Sequence, residues 1–149
     1  MGARMAVRSA VAAAAVVAAV LAGAAAFAMV GCGESVELPD LFVVTRTGGG
    51  EKLTVLINEG GEVRCNGGPA HQLSDPQLIQ ARGVTEELQS PSAKHLALLP
   101  RPGSVFRYRV RDAEGAVRFA DNSAHQSSAM HHLQYLVLEV AQRLCGLPG

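Results

Sequence analysis

Short runs of mainly hydrophobic residues, separated by polar and glycine-rich turns, follow residue 40. Residues 41–46 and 53–58 are rich in β-branched and aliphatic side chains, and residues 62–65 repeat the pattern more briefly. Glycine-rich turns separate them at 47–50 and 59–61, and Asn-Gly-Gly-Pro at 66–69 ends the third. The pattern predicts three successive strands joined by tight turns.

A helical signal comes next. Ser74 and Gln77 have the spacing of a capping box, and Pro76 falls in the first turn, where its missing N–H does no harm. The spacing predicts a helix from Ser74 to about Gln89, followed by a proline-containing loop over 90–103. Its apolar face is expected at Leu78, Ala81, Thr85 and Leu88, with Ile79 and Val84 beside it.

The clearest alternation lies in residues 104–111 and 116–120, which predict a hairpin around a four-residue turn at 112–115. One face carries Phe106, Tyr108 and Val110, and the other carries arginines. The turn length predicts three cross-strand pairs: Val110 with Val117, Tyr108 with Phe119, and Arg109 with Arg118.

Apolar residues recur at helical spacing near the end of the chain, after a cap at Ser127 or Ser128. They are Met130, Leu133, Leu136, Val137, Val140, Ala141 and Leu144. The predicted order is β-β-β-α-β-β-α, which favours an α+β fold: a mainly antiparallel sheet with both helices packed on one face. Residues 41–149 then form a single domain.

The first 31 residues resemble a signal peptide. Residues 10–30 are uncharged and contain 12 alanines, and Arg4 and Arg8 precede them. Three fates remain open. Residues 29–32 resemble the lipobox of bacterial lipoproteins, which places lipid on Cys32 and makes 32–40 a short tether. Cleavage after Ala28 and retention as a membrane anchor are the other two. Each places the remaining chain outside the cytoplasm.

Charge and cysteine content narrow the function classes. Removing Arg4 and Arg8 leaves 11 basic against 13 acidic residues, which argues against a nucleic-acid partner. With Cys32 lipidated, Cys65 and Cys145 form a pair, and outside the cytoplasm a disulfide is the simplest interpretation. The bond would close a loop of about 80 residues, nominally worth ~4.5 kcal/mol. It would join the third strand to the end of the last helix.

The hairpin's polar face is the main candidate site. Arg107, Arg109, Arg111 and Arg118 are predicted to crowd one face of the sheet, and Arg109 opposite Arg118 is a repulsive pair. Two interpretations stay open: a solvated face relieved by Glu62 or Glu51, or a surface that binds an anion, a protein partner or lipid headgroups.

No catalytic, metal or cofactor site is predicted. The five histidines lack metalloenzyme motifs such as H-E-x-x-H, and they are interpreted as polar residues of loops and of a helix start. Asp121, Ser123 and His125 alternate in one loop, but alternation alone does not make a triad. A hydrolase using this loop is therefore the weakest hypothesis.

Several short motifs carry a family resemblance: residues 45–49, 108–110, 112–115 and 117–119, together with Asp121 and the closing helix. In this order they resemble the emfourin type of protease inhibitor, which acts on thermolysin-like metalloproteases. The chain also resembles a group of uncharacterised bacterial lipoproteins, which implies no activity. Its export signal and cysteine pair depart from the inhibitor family, so no inhibitory residues are assigned.

These features predict an exported, lipid-anchored, non-enzymatic binding protein of the cell envelope. Its expected partners are the membrane, through the lipid anchor, and a protein or an envelope component. The alternative is a secreted inhibitor of a thermolysin-like metalloprotease.

Overall fold

Six strands and two helices make up the described part of the chain. The structure, a computed structural model, describes residues 38–147. The strands are β1 Asp40–Gly48, β2 Glu51–Asn58, β3 Glu62–Cys65, β4 Ala70–Gln72, β5 Phe106–Arg111 and β6 Ala116–Ala120. The helices are α1 Asp75–Ala93 and α2 Ser128–Arg143.

The proposed signal peptide 1–31, the lipidation site Cys32 and most of the tether 32–40 lie outside the described residues. Neither helix within 38–147 has the length and apolar character needed to cross a bilayer.

The strands form one sheet in the order β4-β3-β2-β1-β5-β6. Each neighbouring pair is antiparallel. Strand β1 pairs with β2 along one edge and with β5 along the other, so it joins the two hairpin regions into one sheet. The predicted α+β fold is confirmed.

The core lies between one face of this sheet and the two helices. Strand β1 buries Phe42 and Val44 there, and β2 buries Leu53, Val55 and Ile57. Both helices contribute from the same side, as predicted, because their apolar faces cover the same sheet face. The helical contributors are Ala81, Val84 and Leu88 from α1, and Ala129, Met130, Leu133, Leu136, Val137, Val140 and Ala141 from α2.

The hairpin register matches the sequence prediction. Tyr108 pairs with Phe119, Val110 with Val117 and Arg109 with Arg118. The Tyr108 and Phe119 rings stack with their centroids 5.2 Å apart. Both rings face the helices. The arginines next to them in sequence, Arg107, Arg109 and Arg118, must therefore face the opposite side of the sheet.

Two details of the prediction were wrong. Helix α1 does not end near Gln89 but continues to Ala93, with Pro91 inside it. The added turn is held by Ser92, which is buried and donates its hydroxyl to Asp112 in the β5–β6 turn. The sequence also missed β4, a three-residue exposed strand that pairs with β3 and shows no apolar alternation.

The outer edge of β6 is covered by the segment that follows α1. Ala97 forms a parallel bridge with Arg118. The Arg118 N–H donates to the Leu96 carbonyl at 2.9 Å, and the Leu98 N–H donates to the Arg118 carbonyl at 2.8 Å. These bonds fix the segment 96–100 beside the sheet.

The predicted disulfide is present. Cys65 and Cys145 are bonded across a sequence separation of 80, with their Cα atoms 5.7 Å apart. Cys65 ends β3, and Cys145 follows α2 by two residues. The bond therefore ties the last helix to the half of the sheet farthest from the β5–β6 hairpin.

Removing this bond should destabilise the protein strongly. We expect the double variant Cys65→Ser, Cys145→Ser to lose about 2–5 kcal/mol of unfolding free energy, because the unfolded chain regains the entropy of an 80-residue loop. Urea unfolding followed by circular dichroism measures the loss. Reductant should lower the wild-type midpoint to that of the variant and leave the variant unchanged. Equal midpoints for the variant and the oxidised wild type would contradict the assignment.

Candidate functional site

On the sheet face that points away from the helices, side chains of neighbouring strands lie side by side in rows, which the strand registers determine. Thr45 lies between Thr54 on β2 and Arg109 on β5. Thr47 lies between Lys52 and Arg107 in the next row. Because side chains alternate along strands, all of these residues share the outer face.

All of these residues except Thr54 line a groove of about 630 Å³. We call it the arginine groove and define it by Thr45, Thr47, Lys52, Arg107, Arg109 and Arg118 together with the wall 97–100. The wall stands beside the sheet because of the bridge between Ala97 and Arg118. At its rim the Leu99 side chain is 83% exposed.

The electrostatics of the arginine groove are one-sided. Four cationic side chains line it, and no acidic residue is among its lining residues. Within residues 38–147 the ion pairs involve other arginines: Arg64 with Glu62 at 2.8 Å and Arg143 with Glu139 at 4.0 Å. Glu62, one of the two acids expected to relieve the groove, therefore neutralises Arg64 instead.

The predicted four-arginine face divides into two parts. Arg107, Arg109 and Arg118 line the groove, whereas Arg111 lies one row away, opposite Val43. Arg111 borders a separate depression that is also lined by Asp40 and Asp112, and their negative charges offset its positive charge. The sequence prediction missed Lys52. Counting back from the buried Leu53 would have placed it on the outer face.

This arrangement is suited to binding an anion. Arginine donates paired N–H groups to phosphate and carboxylate oxygens, and threonine hydroxyls supply further donors. Without a bound anion, the positive charges of the directly opposed Arg109 and Arg118 repel one another. A bound anion would remove that repulsion.

A second arginine occupies the other face of the sheet. Arg46 is only 6% exposed, and its guanidinium carbon lies 4.7 Å from the Phe106 ring centroid. Tyr108 is directly opposite it on β5. A cavity of about 280 Å³ opens beside Arg46, and α2 supplies the far wall. We call this cavity the Arg46 pocket; it is lined by Arg46, Phe106, Tyr108, Asp121, His131, Gln134, Tyr135 and Leu138.

Sequence reasoning did not single out Arg46 as a site residue, although alternation contained the signal. Phe42 and Val44 face the core, so the period of two also turns Arg46 toward the helices. Gly48 continues β1 past the pocket with a positive φ of 140°. A side chain there would collide with the Val105 carbonyl oxygen, so glycine is required for this close approach.

Two titrating groups of the Arg46 pocket are perturbed. Burial raises the pKa of Tyr108, while the positive charge of Arg46 opposes this and the negative charge of Asp121 adds to it. For Asp121, burial alone would raise the pKa, but hydrogen bonds outweigh it and hold the pKa below its usual value. They come from the Ser104 hydroxyl at 2.8 Å and the N–H groups of Val105 and Phe106 at 3.0 and 3.1 Å.

In the loop 121–125, which the hydrolase hypothesis concerns, Asp121 and Ser123 form hydrogen bonds that hold the local backbone. Asp121 accepts from the 104–106 segment as described. The Ser123 hydroxyl accepts the Ala120 N–H at 2.9 Å, and Ser123 is buried. His125 is exposed and adopts a positive φ of 60°. Across the described range the structure brings together no group of three His, Cys, Asp or Glu residues able to hold a metal ion.

No family model, no curated protein and no solved structure matches this chain. The resemblances to emfourin-type inhibitors and to bacterial lipoproteins therefore stay predictions from the sequence.

The repulsion between Arg109 and Arg118 gives a direct test of the sheet geometry. We expect Arg118→Glu to raise the unfolding free energy by about 0.2–1 kcal/mol at low salt, because an opposite-charge pair replaces a like-charge pair. Urea unfolding at low and high salt measures the gain and its screening. Lys94→Glu, at an exposed position next to the end of α1, is the control and should not stabilise the protein. A destabilised Arg118→Glu would contradict this register.

Proposed function

We propose that this chain is an exported, lipid-anchored, non-enzymatic binding domain of the cell envelope. Its arginine groove binds a phosphate-bearing anionic component of that envelope. The observation that carries the proposal is the groove itself, where four cationic side chains line one cavity without an acidic residue.

The compartment is supported from two directions. A disulfide that spans 80 residues is typical of proteins that fold outside the cytoplasm. The uncharged, alanine-rich run at 10–30, preceded by Arg4 and Arg8, has the composition of an export signal. Both point to the same side of the membrane.

The proposed anchor would hold the groove close to the lipid surface. Asp40, the first residue of β1, follows the proposed lipidation site Cys32 by eight residues, which span at most about 29 Å. Thr45 lies five residues into β1 from Asp40, or about 17 Å along the strand. A domain tethered this closely meets anionic headgroups at high effective concentration.

The rim of the arginine groove fits a membrane surface. Each basic residue near an anionic leaflet contributes about 1 kcal/mol, and this attraction is screened by salt. Leu99 adds an exposed apolar side chain beside the cations. Phosphate is the chemistry shared by headgroups and by soluble envelope polyanions, and the test below separates the two sources.

Protease inhibition, the alternative that the emfourin resemblance implies, stays a prediction from the sequence. The arginine groove is independent of it.

We expect the chain from Gly33 to Gly149, which contains every described residue, to bind vesicles containing anionic phospholipid and not purely zwitterionic ones. The double variant Arg109→Glu, Arg118→Glu should weaken this binding at least about tenfold, because two attractive charges become repulsive. Co-sedimentation at low and moderate salt measures it. Soluble polyphosphate added as a competitor shows whether phosphate alone suffices or whether the lipid surface is required.

The matched control is the double variant Lys94→Glu, Arg143→Glu. It makes the same change in net charge near the C-terminal ends of the two helices, at exposed residues that do not line the groove. Equal losses in both double variants would show that only net charge matters. Unchanged binding in Arg109→Glu, Arg118→Glu would contradict the proposal.

A further inference from the structure

The Arg46 pocket lies on the helix side of the sheet, so it is separate from the arginine groove. Its central group is the guanidinium of Arg46, a residue that is only 6% exposed. Within residues 38–147 no carboxylate lies within ion-pair distance of Arg46, and its side chain donates no hydrogen bond to a described residue. A buried charge normally has a partner, because leaving water is costly for an ion.

Asp121, the one acidic residue among the residues that line the pocket, lies beyond ion-pair distance of Arg46. Both Asp121 oxygens already accept hydrogen bonds from the 104–106 segment. No fully enclosed side-chain nitrogen or oxygen in the described range lacks a hydrogen-bond partner. The Arg46 N–H groups therefore open into the pocket, where they are available to a ligand.

The walls of the pocket indicate what that ligand looks like. Phe106 stacks against the guanidinium and holds it in place from one side. Tyr135 is 68% exposed at the mouth, next to the partly exposed Leu138. His131 and Gln134 add polar groups from α2. A pocket of aromatic and aliphatic side chains with a few polar groups, here Arg46, Asp121, His131 and Gln134, is typical of a small-molecule site.

We propose that the Arg46 pocket binds a carboxylate that carries a compact apolar body. The carboxylate accepts the paired N–H groups of Arg46, and the apolar body lies against Tyr135 and Leu138 at the mouth. The volume of about 280 Å³ has room for on the order of ten non-hydrogen atoms, at about 30 Å³ each. The carboxylate belongs either to a free acid or to the C-terminal residue of a peptide.

The test uses the full oxidised chain in a neutral detergent and 3-phenylpropionate as the probe, with calorimetry and nuclear magnetic resonance as readouts. We expect binding of the acid and at least about tenfold weaker binding of its amide, because the amide loses the charged pairing. The tripeptide Ala-Ala-Phe with a free or amidated C-terminus distinguishes the sources. Tighter binding of the free peptide than of 3-phenylpropionate assigns the site to chain termini, and the reverse assigns it to free acids.

Arg46→Gln should abolish the preference for the acid over its amide. Because a buried substitution can prevent folding, Tyr135→Ser at the exposed mouth provides a second test and should weaken the acid at least about threefold. His132→Ala, an exposed neighbour that does not line the pocket, is the matched control and should bind like wild type.

Three results would overturn the proposal. They are no binding of either acid at about 10 mM, equal binding of acid and amide, and equal binding by Tyr135→Ser and His132→Ala.

Discussion

Strand β1 is the constraint on which the rest of the structure depends. In the sheet formed by the described residues, β1 lies between β2 and β5, so one strand sets the register of both halves. Its period of two then assigns each side chain to one of two faces. Phe42 and Val44 enter the core, and Thr45 and Thr47 enter the arginine groove. A shift of the β1 register by one residue would exchange its two faces, and both the core and the arginine groove would be lost.

The same alternation accounts for the two arginine sites and for their different character. Arg109 and Arg118 stand in water on an open face, where four cations act together and salt weakens them. Arg46 lies on the helix-covered face, where a single guanidinium packs against Phe106 and its residue is only 6% exposed. The open site suits a large, charged surface. The closed site suits one small ligand with a defined shape.

Local rules predicted both helices and five of the six strands, but they missed β4 and ended α1 too early. The sites also needed contacts between distant parts of the chain. The hairpin pairing followed from alternation and a four-residue turn. Helix α1 ran past Pro91 because Ser92 is anchored to Asp112, twenty residues away, and no local pattern contains that bond. The groove wall depends likewise on the bridge between Ala97 and Arg118. The alternation of β1 places Arg46 on the same face as Phe42 and Val44. It does not show that a charged residue on this apolar face forms a binding site.

The central claim is that the outer sheet face of this domain is its binding surface. Amide spectra of the ¹⁵N-labelled domain, recorded with and without nanodiscs containing anionic phospholipid, test it most directly. We expect the perturbed amides to cluster at Thr45, Thr47, Arg107, Arg109 and Arg118 and along residues 97–100, with α1 and α2 little changed. Perturbations centred on the exposed faces of the helices, or none at low salt, would contradict it.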